Sequence, residues 1–404
     1  MYDAIIIGAR CAGAPTAMLL GRKGYRVLLV DRGSFPSDVI STHYVHVSGI
    51  AILNRWGILD RIAATNCPAI GEALFHFGEI KFTGVAPPLA GIDVAYAPRR
   101  TVLDKILVDA ALEAGVELRE NYTAEELMWD GSRITGIKGR LKNGASVVEQ
   151  GRIVIGADGK DSLVARTSQA PVYNATDPLC AVYYGYWSGL SVLNVQVYVR
   201  DGWAIILFPT NDGLTTVVQC WRSEVFPNYR SDSEGTFMKC IDLCTEITDQ
   251  VRQGKRESRI AGIVETPSFF RKPFGPGWAL VGDAGYYKNP LSAQGITDGF
   301  RDAELLAEAI DAGLSGRQAI EDALAEYEQT RNQTVMPIYQ YTNDRATLKP
   351  PPPEFVQLLM ALPGNQEATN RFIGLDAGTV SVADFFSPDS IQKIIKSGQQ
   401  TVRV

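Results

Sequence analysis

Residues 3–31 dictate a βαβ unit, and with it a parallel sheet. Asp3-Ala4-Ile5-Ile6-Ile7-Gly8 is a continuous apolar run of the kind buried on both faces. Ala14, Ala17, Met18 and Leu20 then recur at helical spacing from Ala12 to Lys23, and Gly24 supplies the stop. Arg26-Val27-Leu28-Leu29-Val30-Asp31 reads as a second buried strand. Strand, glycine turn, helix and strand over so short a span require a right-handed crossover.

The turn itself, Gly8-Ala9-Arg10-Cys11-Ala12-Gly13, sits where a dinucleotide pyrophosphate would rest on a helix N-terminus. Gly8 permits the tight turn and Gly13 lets the helix approach the strand. Arg10 occupies the middle position of G-x-G-x-x-G, where a glycine normally admits the phosphates. Its guanidinium is expected beside the phosphates, where it could pair bidentately. Asp31, at the end of the second strand, stands where a carboxylate receives ribose hydroxyls.

Downstream, a helical face at Ile50, Ile52, Leu53 and Trp56 precedes a hairpin around Gly78-Glu79, and Thr101 to Ala114 is helical again. Val116-Glu117-Leu118 reads as a further strand of the first sheet, and Asp130-Gly131 as a hairpin turn. Arg152 to Gly159 and Trp278 to Asp283 are buried strands ending in small and acidic residues. Between them, Ser168 to Ser268 alternates in period two and is rich in aromatics, which predicts an antiparallel sheet. Asp302 to Ala312 is helical, and Pro350 to Pro353 precedes a short, mostly helical tail.

With 39 Lys+Arg against 45 Asp+Glu and 46% apolar residues, the chain excludes a disordered tail. Its net charge of −6 and lack of a basic cluster argue against nucleic acid. No apolar run is long enough to span a membrane, and Asp3 interrupts any signal stretch. Six cysteines without a C-x-x-C pair predict reduced thiols and a cytoplasmic location. His43, His46 and His76 are too few and too loosely spaced for a zinc site, so no metal is expected.

Three glycine and acid strand ends stand along the chain: Gly8 to Asp31, Asp158-Gly159, and Gly282-Asp283 followed by Pro290 and Gly295. Together they resemble the class A FAD-dependent monooxygenases of the para-hydroxybenzoate hydroxylase type. That superfamily also contains geranylgeranyl reductases and flavin-dependent halogenases. The resemblance covers roughly residues 1 to 335. It implies an α/β fold: a Rossmann-like FAD-binding domain (1–74, 97–168 and 272–335), an inserted antiparallel β-sheet substrate domain (75–96 and 169–271), and a mostly helical C-terminal extension (336–404).

The resemblance also assigns roles. Gly8, Cys11, Ala12, Gly13 and Asp31 would hold the ADP half of FAD, with Arg32 beside the adenine. Arg100 would contact the flavin chain, Asp158 would serve both FAD and NAD(P)H, and Asp283 would receive the ribityl hydroxyls. Pro290, Gly295 and Ile296 would lie beside the isoalloxazine, whose reduced charge backbone N–H groups could stabilise. The sequence departs from the family at Gly285-Tyr286, and at Asp298, where an acid would oppose an anionic reduced ring.

The implied activity is oxygenation of an aromatic or polycyclic small molecule with NAD(P)H and molecular oxygen, through a C4a-hydroperoxyflavin, in a monomer or homodimer. Reduction of an isoprenoid substrate is the alternative; halogenation fits less well, since Lys81 is the one candidate lysine and the W-x-W-x-I-P segment is missing. Tyr183, Tyr184, Tyr186, Trp187, Trp203, Phe208 and Trp221 are candidate substrate-facing aromatics. His43, His46 and Tyr286 are the candidate catalytic side chains.

Overall fold

The computed structural model describes residues 1–222, 224, 232–263 and 266–401. Its first sheet has eight strands. Tyr2–Ile7 lies at the centre, flanked in parallel by Val27–Val30 on one side and the end of Ser146–Gly156 on the other. Glu117–Arg119 and Trp278–Leu280 extend the parallel set outward. Ile5, Ile6, Leu28 and Leu29 are fully buried, as their unbroken apolar runs require. Helices Gly13–Arg22, Arg100–Glu113 and Gly295–Leu314 cover one face through Ala14, Met18, Leu103, Leu107, Phe300 and Leu306. Strand Ser146–Gly156 is shared: its first half pairs antiparallel with the hairpin Tyr122–Asp130 and Arg133–Leu141.

The second sheet also has eight strands. Cys180–Ser188, Thr215–Arg222, Trp203–Pro209 and Val195–Arg200 run antiparallel in that order. The hairpin Ala73–Phe77 and Ile80–Gly84 joins its edge, and the joining pair, Val195–Arg200 with Ala73–Phe77, is parallel. A three-stranded sheet of Val172–Thr176, Ser268–Arg271 and Tyr286–Tyr287 lies beside it. The α/β class with a second sheet and a helical tail is thus the architecture the sequence implies.

Two features depart from the sequence reading. Helices Ser233–Leu243 and Thr248–Gln253 occupy a stretch expected to be all β. The buried positions of this stretch, Phe237, Cys240, Ile241, Cys244, Ile247 and Val251, recur at three and four residues, so the helical period was present but short. Helix Ile320–Ala346 also runs across residue 335, where the helical tail was expected to start, and helices Pro353–Met360, Gln366–Ala377, Val382–Phe385 and Pro388–Thr401 follow in that tail. No helix among the described residues is long and apolar enough to cross a membrane.

Candidate functional site

The three motif ends converge around the first glycine turn. Gly8 adopts φ +102°, and a Cβ there would stand 2.5 Å from the Ala157 carbonyl oxygen, in front of Asp158. A Cβ on Gly13 would stand 1.8 Å from the carbonyl oxygen of Gly8. Both positions therefore demand glycine. Gly282 would touch Ala12, and Gly299, one turn into helix Gly295–Leu314, lies over Cys11 and Ala12. Strand ends far apart in sequence thus form one cradle bounded by backbone.

Charged groups line this cradle. Asp31 is buried; its Oδ2 accepts the Ala9 N–H at 2.8 Å and its Oδ1 the Gly33 N–H at 2.8 Å, leaving a lone pair on each oxygen for a hydroxyl. Arg32 is exposed beside it. Arg100 opens helix Arg100–Glu113 and donates from Nε and Nη2 to the two oxygens of Asp104, at 2.9 and 3.0 Å. Arg10 donates from Nη1 to the same carboxylate at 2.6 Å and from Nη2 to Ser37 Oγ at 3.0 Å. The Cys11 thiol completes the group, 3.2 Å from Asp104 Oδ1. Two guanidiniums thus hold one fully buried carboxylate beside the glycine turn. No local sequence signal pairs Arg10 with a residue 94 positions away.

Asp283 keeps an open face toward the cradle although protein surrounds it. Burial, followed by repulsion from Asp298, pushes its carboxyl up to about 6. Asp158 donates no such open face: Oδ2 accepts the Leu163 N–H at 2.7 Å, while Oδ1 is buried without a protein partner. Burial raises its pKa. An orphaned carboxylate oxygen and the glycine-walled cradle both fit a polyhydroxylated dinucleotide.

Behind Asp283 lies a buried network. Burial works against ionisation of Asp298, yet Lys288 and then Arg301 hold its pKa down at about 2. Lys288 Nζ is 2.8 Å from Asp298 Oδ2, and Arg301 Nη1 is 2.9 Å from Oδ1. Arg301 also donates to the Tyr286 hydroxyl at 2.7 Å. Arg301 Nη2 also holds Asp302 Oδ1 at 2.7 Å, so Tyr286 and Asp298, two of the departures from the family pattern, belong to one cluster of two cations and two carboxylates.

A cavity of about 980 Å³ opens at the other side of the Pro290–Ser292 turn. Its walls come from the hairpin (Phe75, Phe77), the second sheet (Val197, Ile206, Phe208) and the C-terminal helices (Tyr341, Phe355, Phe386). His46 lines it and donates from Nε2 to the Ser292 carbonyl at 2.8 Å. Burial lowers the His46 pKa. His43 is enclosed instead: it stacks on Tyr186, donates from Nδ1 to the Ala97 carbonyl at 3.0 Å, and burial takes it down to about 3. Pro290 borders the cavity, while Gly295 is exposed and Ile296 packs into the core of the first sheet.

Of the seven aromatics expected to face substrate, only Phe208 lines this cavity. Tyr183, Trp187, Trp203 and Trp221 lie on the opposite face of the sheet, under the helices at 233–253. Strand alternation separates the faces, with Ala204, Ile206 and Phe208 on one side and Trp203, Ile205 and Leu207 on the other. The tail residues of the cavity had no sequence signal. Lys81 is exposed on the hairpin and is not a lining residue.

The chain belongs to the FAD binding domain family, which matches residues 1–342. It is a flavin-dependent enzyme of the para-hydroxybenzoate hydroxylase-like superfamily, and the family supports FAD as its cofactor. It is 25% identical over 353 residues to digeranylgeranylglycerophospholipid reductase of Methanosarcina acetivorans, covering 83% of this chain and 81% of the reductase. It is 24% identical over 337 residues to tryptophan 2-halogenase of Chondromyces crocatus, covering 80% of this chain and spanning 64% of the halogenase. It shares the fold of PqsL, a probable FAD-dependent monooxygenase from Pseudomonas aeruginosa, at TM-score 0.69 and 21% identity over 93% of this chain and 99% of that one.

Proposed function

We propose that the chain is an FAD-dependent monooxygenase that takes electrons from NAD(P)H and oxygenates an apolar aromatic or polycyclic molecule in the 980 Å³ cavity. The carrying observation is the cavity's apolar wall beside the Pro290–Ser292 turn, which excludes water where oxygen chemistry would otherwise be lost to solvent. When bound, FAD supplies the electron transfer to oxygen. The protein binds and orients: Asp31 would receive ribose hydroxyls, Arg10 and Arg100 would hold the pyrophosphate, and Asp283 would receive ribityl hydroxyls. The N-terminus of helix Gly295–Leu314 would stabilise negative charge on the ring, and His46 Nε2–H fixes the Ser292 carbonyl beside the cavity. Lys288 and Arg301 neutralise Asp298, so that acid does not oppose negative charge on a reduced ring.

A reductase reading is supported by the aliphatic side of the same cavity, Val195, Val197, Val199 and Ile206, and by the likeness to the archaeal reductase. The halogenase reading loses its lysine, because Lys81 lies outside the cavity. Reduced protein mixed rapidly with oxygen and candidate aromatics decides between them. Incorporation of labelled oxygen into product supports oxygenation. Reoxidation without labelled product, together with saturation of an isoprenoid double bond under anaerobic conditions, overturns it in favour of the reductase.

A further inference from the structure

The Tyr44 hydroxyl has no hydrogen-bond partner among the described residues, although only 7% of the residue is exposed. Tyr44 lines the main cavity, and its oxygen is open to that space rather than sealed in the core. Buried tyrosines ordinarily satisfy this group, because an unmade bond leaves its desolvation cost uncompensated. Packing holds the ring in place, edge-on to His46 with centroids 4.8 Å apart and edge-on to Phe208 at 5.3 Å. Burial, and after it the Asp376 carboxylate, raises the Tyr44 pKa, so the hydroxyl keeps its proton and can donate.

The neighbours fix where this donor stands and what it can select. His46 reaches the Ser292 carbonyl at 2.8 Å, so Tyr44 stands at the end of the cavity next to the Pro290–Ser292 turn. Arg345 and Asp376 line the same cavity and hold each other, Nη1 donating to Oδ1 at 2.7 Å and to Oδ2 at 2.8 Å. Those two charges cancel. The other charged lining residues, Glu72, Asp93, Asp344 and Lys349, are exposed and solvated.

Resting on the reading of this cavity as the substrate site, we propose that Tyr44 determines specificity: its hydroxyl donates to a neutral oxygen, a carbonyl or a hydroxyl, that the substrate carries at the end next to the Pro290–Ser292 turn. The apolar wall holds the body of the molecule without choosing its orientation, and one placed donor decides which edge faces the turn. A hydrocarbon of the same shape fills the cavity and leaves Tyr44 unbonded.

The test uses the FAD-loaded protein and two planar probes of nearly the same shape, 9-fluorenone, which has a carbonyl, and fluorene, which has none. Y44F keeps the ring contacts and removes only the hydroxyl. In equilibrium dialysis it should lose about two- to ten-fold in affinity for fluorenone, the span of one neutral hydrogen bond, with fluorene binding unchanged. I206W or V199W, whichever retains FAD, should bind both probes less, since both positions line the cavity. Unchanged fluorenone affinity in Y44F, or affinities for both probes that fall together, overturns the Tyr44 assignment while leaving the cavity as substrate site. A parent protein that binds neither probe, or an I206W or V199W variant that binds both as the parent does, overturns the cavity reading and the proposal with it.

Discussion

Lys288 and Asp298 form a buried ion pair, Nζ to Oδ2 2.8 Å, across the turn that separates the cofactor cradle from the cavity. The acid that looks out of place in the sequence is thus matched by a lysine ten positions earlier. Burial lowers the Lys288 pKa, and Asp298 opposes that shift.

Removing Lys288 leaves Asp298 only Arg301, which Asp302 also holds at 2.7 Å. K288M should therefore lose about 3–5 kcal/mol of stability, and K288M/D298N should recover a large part of it. Urea unfolding of both variants measures the difference. A K288M loss well below that range would show that Arg301 alone satisfies Asp298.

Arg10 stands where a glycine would leave room for phosphate, yet it bridges Asp104 and Ser37. R10G removes one of the two guanidiniums at the turn and should weaken FAD binding by about 1.5–3 kcal/mol, the range for a hydrogen bond to a charged group. Titration of the apoprotein by flavin fluorescence quenching reads this directly. Unchanged or tighter binding would mean that Arg10 acts only within the protein.

Gly13 has no room for a methyl group, since its Cβ would fall 1.8 Å from the Gly8 carbonyl oxygen. G13A should destabilise the protein by about 2 kcal/mol or more and release FAD, as overpacking forces the turn apart. Thermal melts with and without added FAD follow both effects, and a variant with parental melting and full flavin would refute the turn geometry.

Asp283 gives a pH signature in the FAD-free protein. Its folded pKa of about 6 lies above the ordinary 3.8, so the folded chain holds the proton more tightly than the unfolded chain between those values. Its contribution to stability is full below the lower value and is lost as pH rises through the upper one. D283N lacks this loss, so its melting temperature relative to the parent should increase from pH 4 to pH 7. A difference that stays constant across the series would exclude the raised pKa.

Local signals were the legible ones. The apolar runs at 4–7 and 27–30 specify buried strands because each residue in them is buried, and Gly8 and Gly13 mark a turn whose geometry no other residue fits. Asp104 was invisible, because nothing in its own helix announces a tie to Arg10 and Arg100 together. The aromatic strands were recognised as strands, but their composition drew attention to Trp187 and Trp203, while the alternation places Ile206 and Phe208 at the cavity. Tyr341, Phe355 and Phe386 reach that wall only through tertiary packing, which no spacing within the tail encodes.

The long helix Ile320–Ala346 carries Tyr327, whose hydroxyl donates to the Leu280 carbonyl at 3.0 Å under the first sheet, and, nearer its other end, Tyr341 and Arg345 in the cavity wall. The cavity-lining stretch of this helix begins at Gln333, about two turns beyond Tyr327. On the proposed reading of the cavity as the substrate site, exchanges from Tyr341 onward would change which guest fits while leaving Tyr327 and the glycine turns in place, which makes the tail the natural place to graft or randomise when a new guest molecule is wanted.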